Sequence, residues 1–167
     1  DLVYGGDGDD LLSGAVGNDS VYGGLGNDRF SISDDHEADY MEGGADWDIV
    51  YYSNYISTSG VNVTFTGTDA GSYNYAGTSG SGSFIQMEGI GGTDYNDTIN
   101  AAADTNGVFI QGNGGDDSLT GGSGADEIEA GTGNDTVIGN AGKDAIYAGL
   151  GNDVLYGGAD EDSFFIN

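Results

Sequence analysis

The chain has 167 residues, 34 of them glycine, and contains neither proline nor cysteine. Twenty-nine acidic residues face two basic ones, Arg29 and Lys143, for a formal net charge of −27. That balance excludes unaided binding to nucleic-acid phosphate or to an anionic membrane surface, the missing cysteine excludes a disulfide framework, and no apolar run approaches the roughly 18 residues of a membrane-spanning helix.

From its first residue the chain follows a nine-residue frame, G-G-x-G-x-D-x-U-x, in which U is a large apolar residue. Asp1 and Val3 close a first partial copy, and Gly5 to Ser13, Gly14 to Tyr22 and Gly23 to Ser31 are complete copies. Asp34 to Glu42 is a looser copy after the two-residue insertion Ile32-Ser33, with Asp39 and Met41 in the aspartate and apolar slots; Gly43 to Tyr51 carries Asp48 and Val50. Residues 52–90 leave the frame. There Val61 to Thr66 alternates apolar and polar residues, as a half-buried strand does, and Ser83 to Glu88 reads similarly. Gly67 to Gly82, rich in Gly, Ser, Thr and Tyr, reads as a surface loop.

The frame resumes at Gly92 to Asn100, with Asp97 and Ile99, and at Ala103 to Gln111, where Val108 takes the aspartate slot. It then runs without a break through Gly112 to Thr120, Gly121 to Glu129, Ala130 to Ile138, Gly139 to Tyr147, Ala148 to Tyr156 and Gly157 to Phe165. Three segments follow: a first array at 1–51, a non-repeat β spacer at 52–90 and a second array at 91–167. The partial copies at both ends point to a segment of a larger protein.

Glycine and charge alone suggest a disordered acidic linker. The apolar residue at every position eight argues against that, because a linker has no reason to carry one. A three-residue strand cannot bury its side chain alone, but stacked copies can, so a fixed period of this kind predicts a solenoid. Two nonapeptides make one 18-residue coil, with parallel strands of alternate repeats about 4.8 Å apart. Ile110, Ile128, Ile146 and Phe164 are expected on one inner face, and Leu119, Val137 and Leu155 on the other. The same stacking sets Asp126 beside Asp144 and Asp135 beside Asp153. Carboxylates at that separation repel unless a cation lies between them, and oxygen-only ligation favours calcium over magnesium or zinc.

These tandem nonapeptides resemble the RTX (repeats-in-toxin) calcium-binding β-roll family, over roughly Asp1 to Tyr51 and Gly91 to Phe165. The resemblance implies an all-β fold, a right-handed parallel β-roll or β-solenoid, with several Ca²⁺ ions between turns two repeats apart. It implies ligation by the carbonyls of positions two and four and the aspartate of one turn, then by the carbonyls of positions one and three and the aspartate of the later turn. Carried onto this chain, Gly122, Gly124 and Asp126 would share an ion with Gly139, Ala141 and Asp144. Asn113, Gly115 and Asp117 would share one with Ala130, Thr132 and Asp135. Gly131, Gly133 and Asp135 would do so with Ala148, Leu150 and Asp153, and Asn140, Gly142 and Asp144 with Gly157, Ala159 and Asp162. In the first array Gly6, Gly8 and Asp10 would pair with Gly23, Leu25 and Asp28, and Asp1 with Gly14, Val16 and Asp19. Asp39, Asp48 and Asp97 hold the aspartate slot in the looser copies. Val108 removes one carboxylate, so the site it would share with Asp126 is expected to be weak or empty. Asp46 and Asp160 replace the position-four glycine, and Tyr95 does so in the turn of Asp97.

No catalytic constellation stands out. His36 sits alone among acids, Gly77-Thr78-Ser79-Gly80-Ser81 fails the G-x-S-x-G pattern at its last position, and the metal frame already explains most carboxylate pairs. The expectation is a non-enzymatic module that folds on binding calcium. The resemblance implies a folding, secretion or stabilising segment of a larger secreted Gram-negative protein, exported by type I secretion. Its partners would be calcium and the flanking domains of the parent protein. The alternative is a carbohydrate- or surface-binding adhesin or accessory module that takes polysaccharide on aromatics such as Tyr40, Trp47, Tyr51, Tyr52, Tyr55, Tyr73 and Tyr75. Tyr4 and Tyr22, 18 residues apart, are expected to stack on an outer face.

Overall fold

The computed structural model describes residues 1–32, 38–52, 59–76 and 80–167. His36, Tyr55 and the Gly77-Thr78-Ser79 stretch lie outside the described residues. The first array forms β1 (Leu2–Asp7), β2 (Leu11–Leu12), β3 (Ser20–Leu25), β4 (Arg29–Ile32), β5 (Tyr40–Ala45) and β6 (Ile49–Tyr52). The middle forms β7 (Val61–Gly67), β8 (Ala70–Tyr75), β9 (Ser81–Ile85) and β10 (Gly89–Gly91). The second array forms β11 (Thr98–Asn100), β12 (Phe109–Gln111), β13 (Ser118–Thr120), β14 (Glu127–Glu129), β15 (Thr136–Ala141), β16 (Ala145–Gly149), β17 (Val154–Ala159) and β18 (Ser163–Ile166).

The strands make two sheets. One has the order β1-β3-β5-β9-β8-β7-β11-β13-β15-β17, the other β18-β16-β14-β12-β10-β6-β4-β2. Among the described residues every pairing is parallel except those of β8 with β7 and β9. This is a parallel β-solenoid of about eight coils whose wall alternates between the two sheets. Among the described residues no helix is long and apolar enough to cross a membrane.

Register follows the apolar slot. Ile110, Ile128, Ile146 and Phe164 align across β12, β14, β16 and β18, and Leu119, Val137 and Leu155 across β13, β15 and β17. Most are fully buried, while Phe164, in β18 at the edge of its sheet, is 46% exposed. Partners lie 18 residues apart in most coils, as in Leu2↔Ser20. They lie 20 apart where two residues are inserted, as in Ser20↔Tyr40 and Gly89↔Phe109. The insertions are absorbed without a change of register because Ile32 and Ala101 bury their side chains in the core.

The middle differs from expectation in one element. The segment read as a surface loop contains β8, antiparallel to both neighbours, with Gly71, Tyr73 and Tyr75 buried. Its composition is loop-like, but Gly71-Ser72-Tyr73-Asn74-Tyr75 alternates buried and exposed, and that alternation decides the conformation. Tyr52 meets Tyr73 at 5.0 Å and Tyr75 at 6.0 Å between ring centroids, so these three aromatics fill the core and are not offered to solvent. Tyr4 and Tyr22 do stack outside, at 5.0 Å and 18°.

Ile128 has no solvent exposure and sits mid-stack between Ile110 and Ile146. Ile128→Ala leaves a cavity that two rigid strands cannot close, and is expected to cost about 2–5 kcal/mol. Chemical unfolding of the calcium-loaded chain measures this; a loss below about 1 kcal/mol would mean the core is not close-packed there.

Candidate metal centres in the inter-coil turns

The turns take their shape from backbone angles at two positions. In nine of them positions two and four are both left-handed, as in Gly6 (φ 114°) with Gly8 (φ 108°) and Gly131 (φ 112°) with Gly133 (φ 137°). Where glycine is missing, Ala15, Asn113 and Asn140 take the left-handed angle at position two. Asp46 (φ 80°) and Asp160 (φ 79°) take it at position four, so those turns keep the common geometry after all. Asp and Asn tolerate this region better than other side chains, because a short polar group can bond locally. The bulky residues at position three, Val16, Leu25 and Leu150, point into solvent and leave their carbonyls to the turn.

Each turn then bonds to the next coil. The position-six N–H donates to the carboxylate of the aspartate one coil later: Asp10 to Asp28 (2.9 Å), Asp19 to Asp39 (2.9 Å) and Asp28 to Asp48 (2.8 Å). The second array continues with Asp97 to Asp117 (2.8 Å), Asp117 to Asp135 (2.8 Å) and Asp135 to Asp153 (3.0 Å). On the other edge Asp126 donates to Asp144 (2.9 Å) and Asp144 to Asp162 (3.1 Å). Every expected aspartate pair with both members in these columns is therefore adjacent. Asp1 sits at the exposed end, with its terminal ammonium against Asp19.

These bonds satisfy Oδ1 and leave Oδ2. The Oδ2 atoms of Asp10, Asp19, Asp28, Asp48, Asp117, Asp135 and Asp144 are buried without a hydrogen-bond partner. Those of Asp10, Asp28, Asp48, Asp117 and Asp144 lie beside the position-one Cα of their own turn, where a carbonyl of the next coil also arrives. A Cβ at Gly23 would strike both Asp28 Oδ2 and the Gly43 carbonyl; one at Gly112 would strike Asp117 Oδ2 and the Ala130 carbonyl; one at Gly139 would strike Asp144 Oδ2 and the Gly157 carbonyl. Further carbonyls around these points keep a lone pair, because Asn113, Gly131, Thr132 and Leu150 each accept only one inter-coil N–H in these turns. Among the described residues no three His, Cys, Asp or Glu side chains converge on one point. A donor set of two carboxylates plus backbone carbonyls is all oxygen, which suits a hard cation such as calcium and not zinc.

Two aspartate-bearing turns among the described residues are built differently. Neither Thr93 nor Gly122, at position two, has a positive φ, and neither do Tyr95 and Gly124 at position four. Instead the position-two N–H folds onto the turn's own aspartate: Thr93 to Asp97 Oδ2 (2.6 Å) and Gly122 to Asp126 Oδ2 (2.7 Å). Asp97 Oδ1 accepts from Val61 N–H (2.7 Å) and Thr93 Oγ1 (2.8 Å), and Asp126 Oδ1 from Val108 N–H (2.9 Å). Both carboxylates are thus satisfied by the chain itself. Each stands first in its column after the middle segment, facing Val61 or buried Val108 where another aspartate would otherwise be.

Sequence reasoning missed three polar features. Asp104 is buried and takes Asp69 N–H (2.7 Å) and Asn106 N–H (2.7 Å), while Asn106 Nδ2 donates to Asp69 Oδ2 (2.8 Å). This network ties the β7–β8 hairpin to the turn before β12, and no nine-residue period announces it. A second ladder runs at position five, where Asn27 N–H donates to Asp9 (2.8 Å), Asn134 N–H to Asp116 (2.7 Å) and Asn152 N–H to Asn134 (3.1 Å). The recurring Asn-Asp and Asp-Asp pairs could have signalled it. The third is Glu88, whose Oε2 takes the N–H of Asp48 (2.8 Å).

The molecule is therefore a parallel solenoid whose acidic turns present paired oxygens between coils. The RTX calcium-binding nonapeptide repeat model matches residues 1–30, 109–137 and 129–164, together about half of the chain. The chain belongs to that family, and its repeats are calcium-binding repeats. Comparison with curated protein sequences finds no match. Among solved structures, the extracellular lipase LipA from Serratia marcescens is similar at 22% identity and a TM-score of 0.46, over 100% of this chain and 32% of the lipase chain. The chain thus spans about a third of that protein's length.

Burial raises the pKa of seven carboxyls in these columns. Asp117, with a single amide donor on its carboxylate, is pushed up to about 8. Asp126 and Asp48 are pushed to about 6, and Asp28, Asp97, Asp135 and Asp144 are also raised from 3.8, burial being the largest cause in each. A carboxyl whose folded pKa exceeds its unfolded one binds its proton more tightly when folded. That stabilisation is complete below the unfolded value and is lost as pH rises through 6 to 8. In chelator the chain is therefore expected to hold more β structure at about pH 5 than at about pH 8. Circular dichroism checks this, and equal or greater structure at the higher pH would contradict it.

Proposed function

We propose that the chain is a folding module switched on by calcium, with no catalysis of its own, serving a larger secreted protein. The observation that carries this reading is the set of buried aspartate Oδ2 atoms that lack a partner, those of Asp10, Asp28, Asp48, Asp117 and Asp144 beside a carbonyl of the next coil. A buried unpaired charge is costly, and as pH rises past the raised carboxyl pKa values a divalent ion answers it where protons no longer do. The ligand sets are the inter-coil pairs whose lower aspartate keeps a free Oδ2: Asp10 with Asp28, Asp19 with Asp39, Asp28 with Asp48, Asp117 with Asp135, Asp135 with Asp153 and Asp144 with Asp162. The turns of Asp97 and Asp126 are closed by their own amides and take no ion.

Linkage converts this into a switch. A net charge of −27 and backbone ordering entropy of about 1–2 kcal/mol per residue oppose a thin core. Each ion adds about 0.4–1.4 kcal/mol where calcium is about one to ten times its Kd, and the contributions of several ions sum. With affinities of about 10⁻⁴ to 10⁻³ M, as extracellular modules have, the chain stays unfolded in a calcium-poor cytosol and folds outside the cell. That order of events suits export of an unfolded chain, as in type I secretion.

Circular dichroism at neutral pH should show a change from disorder to β structure on adding millimolar calcium, reversed by chelator; a folded metal-free chain would count against the reading. Native mass spectrometry should find one calcium fewer in Asp117→Asn and an unchanged count in Asp126→Asn. Loss of an ion in the second variant would show that its closed turn does bind metal.

A further inference from the structure

The register of β9 shows a turn that the nine-residue frame hides. β5 and β9 pair in parallel with Tyr40↔Ser83, Met41↔Phe84 and Glu42↔Ile85, so Gln86 stands one coil above Gly43, at position one. In the lower coil residues 43–48 lead into β6. In the upper coil residues 86–88 alone lead into β10, which pairs with β6 from Gly89↔Ile49. Glu88 immediately precedes β10 as Asp48 immediately precedes β6. It fills the position-six slot of a turn shortened by three residues.

Three observations give this junction the features of the regular turns. The longer glutamate makes up the lost reach, since Asp48 N–H donates to Glu88 Oε2 at 2.8 Å, just as Asp28 N–H donates to Asp48 Oδ1 at 2.8 Å. Asp48 has no solvent exposure, and its Oδ2 is buried without a hydrogen-bond partner. The Gln86 carbonyl converges with that Oδ2 over Gly43, where a Cβ would strike both, as the Gly43 carbonyl and Asp28 Oδ2 converge over Gly23.

We propose that Asp48 and Glu88 form a further calcium site, with the carbonyls of Gln86, Gly44 and Asp46, at the junction of the first array and the middle segment. The shortened turn has no position-three carbonyl to offer, and water completes the oxygen shell that calcium requires. The site extends the Asp10–Asp28–Asp48 column by one ion into a region outside the matched repeats. It couples the first array to β9 and β10. The inference rests on the calcium reading of the regular turns.

Trp47, the only tryptophan, lies between Asp46 and Asp48 and reports on this end of the column. Glu88→Gln keeps an oxygen acceptor for Asp48 N–H but removes the charge. In the full chain it should bind one calcium fewer by native mass spectrometry. Terbium emission excited through Trp47 should fall clearly below that of the unsubstituted chain. Asp153→Asn should lose calcium while leaving that emission unchanged. A Glu88→Gln chain with the full calcium count and full emission would reduce Glu88 to a hydrogen-bond acceptor and overturn the proposal. Should the variant fail to fold, crystals of the unsubstituted chain soaked in terbium decide: anomalous density between Asp48 and Glu88 supports the site, and its absence there overturns it. Ions in the regular turns but not here would sink this inference alone, whereas a chain binding no calcium would sink the folding reading as well.

Discussion

Stacking brings carboxylates of the same sign within one hydrogen bond of each other and removes them from water. The aspartate columns among the described residues meet that constraint, and outside the turns of Asp97 and Asp126 only half of it is answered by the backbone. The amide of one coil satisfies Oδ1 of the next, as Asp117 N–H does for Asp135, and Oδ2 is left facing a carbonyl across the gap. An oxygen-rich cavity with unbalanced negative charge favours a cation by electrostatics alone. The left-handed angles at positions two and four shape turns whose position-four N–H bonds across the gap, as Gly8 N–H does to the Leu25 carbonyl and Gly115 N–H to that of Thr132.

In the repeat arrays the apolar core is thin: β13 and β14 each bury one side chain, Leu119 and Ile128, while β4 buries Phe30 and Ile32. The middle segment works by different means. Val61 and Val108 occupy positions where a carboxylate would otherwise stand, the turns of Asp97 and Asp126 close on their own amides, and Asp104 pins the β7–β8 hairpin through Asp69 and Asn106. Chain-bonded turns thus begin each column of the second array, and metal-type turns continue it. The family match lies in the repeats on either side of the middle segment.

Much of this was legible in the residues. The nine-residue spacing places Ile110, Ile128 and Ile146 in one file and pairs Asp117 with Asp135, because a period of 18 residues per coil leaves no other register for the apolar slot. Val108 was legible as a break in a column. What escaped depends on backbone angles and on length. Gly122 and Gly124 look like any other repeat glycines, yet their negative or extended φ closes the turn. Asp46 and Asp160 look like defects but adopt the left-handed angle that glycine would. Glu88 was hidden twice, by its residue type and by a turn half the usual length. β8 was hidden by a composition that resembles a loop, although Tyr73 and Tyr75 alternate as a strand requires.

At about pH 8, where protons no longer neutralise these carboxyls, an ion must do so if the position-six amides are to stay bonded. Hydrogen exchange of the backbone, read residue by residue at that pH with and without calcium, follows those amides one by one. Those of Asp10, Asp28, Asp117, Asp135 and Asp144 should exchange freely in chelator and become strongly protected in millimolar calcium. Equal protection of those amides in chelator would contradict it.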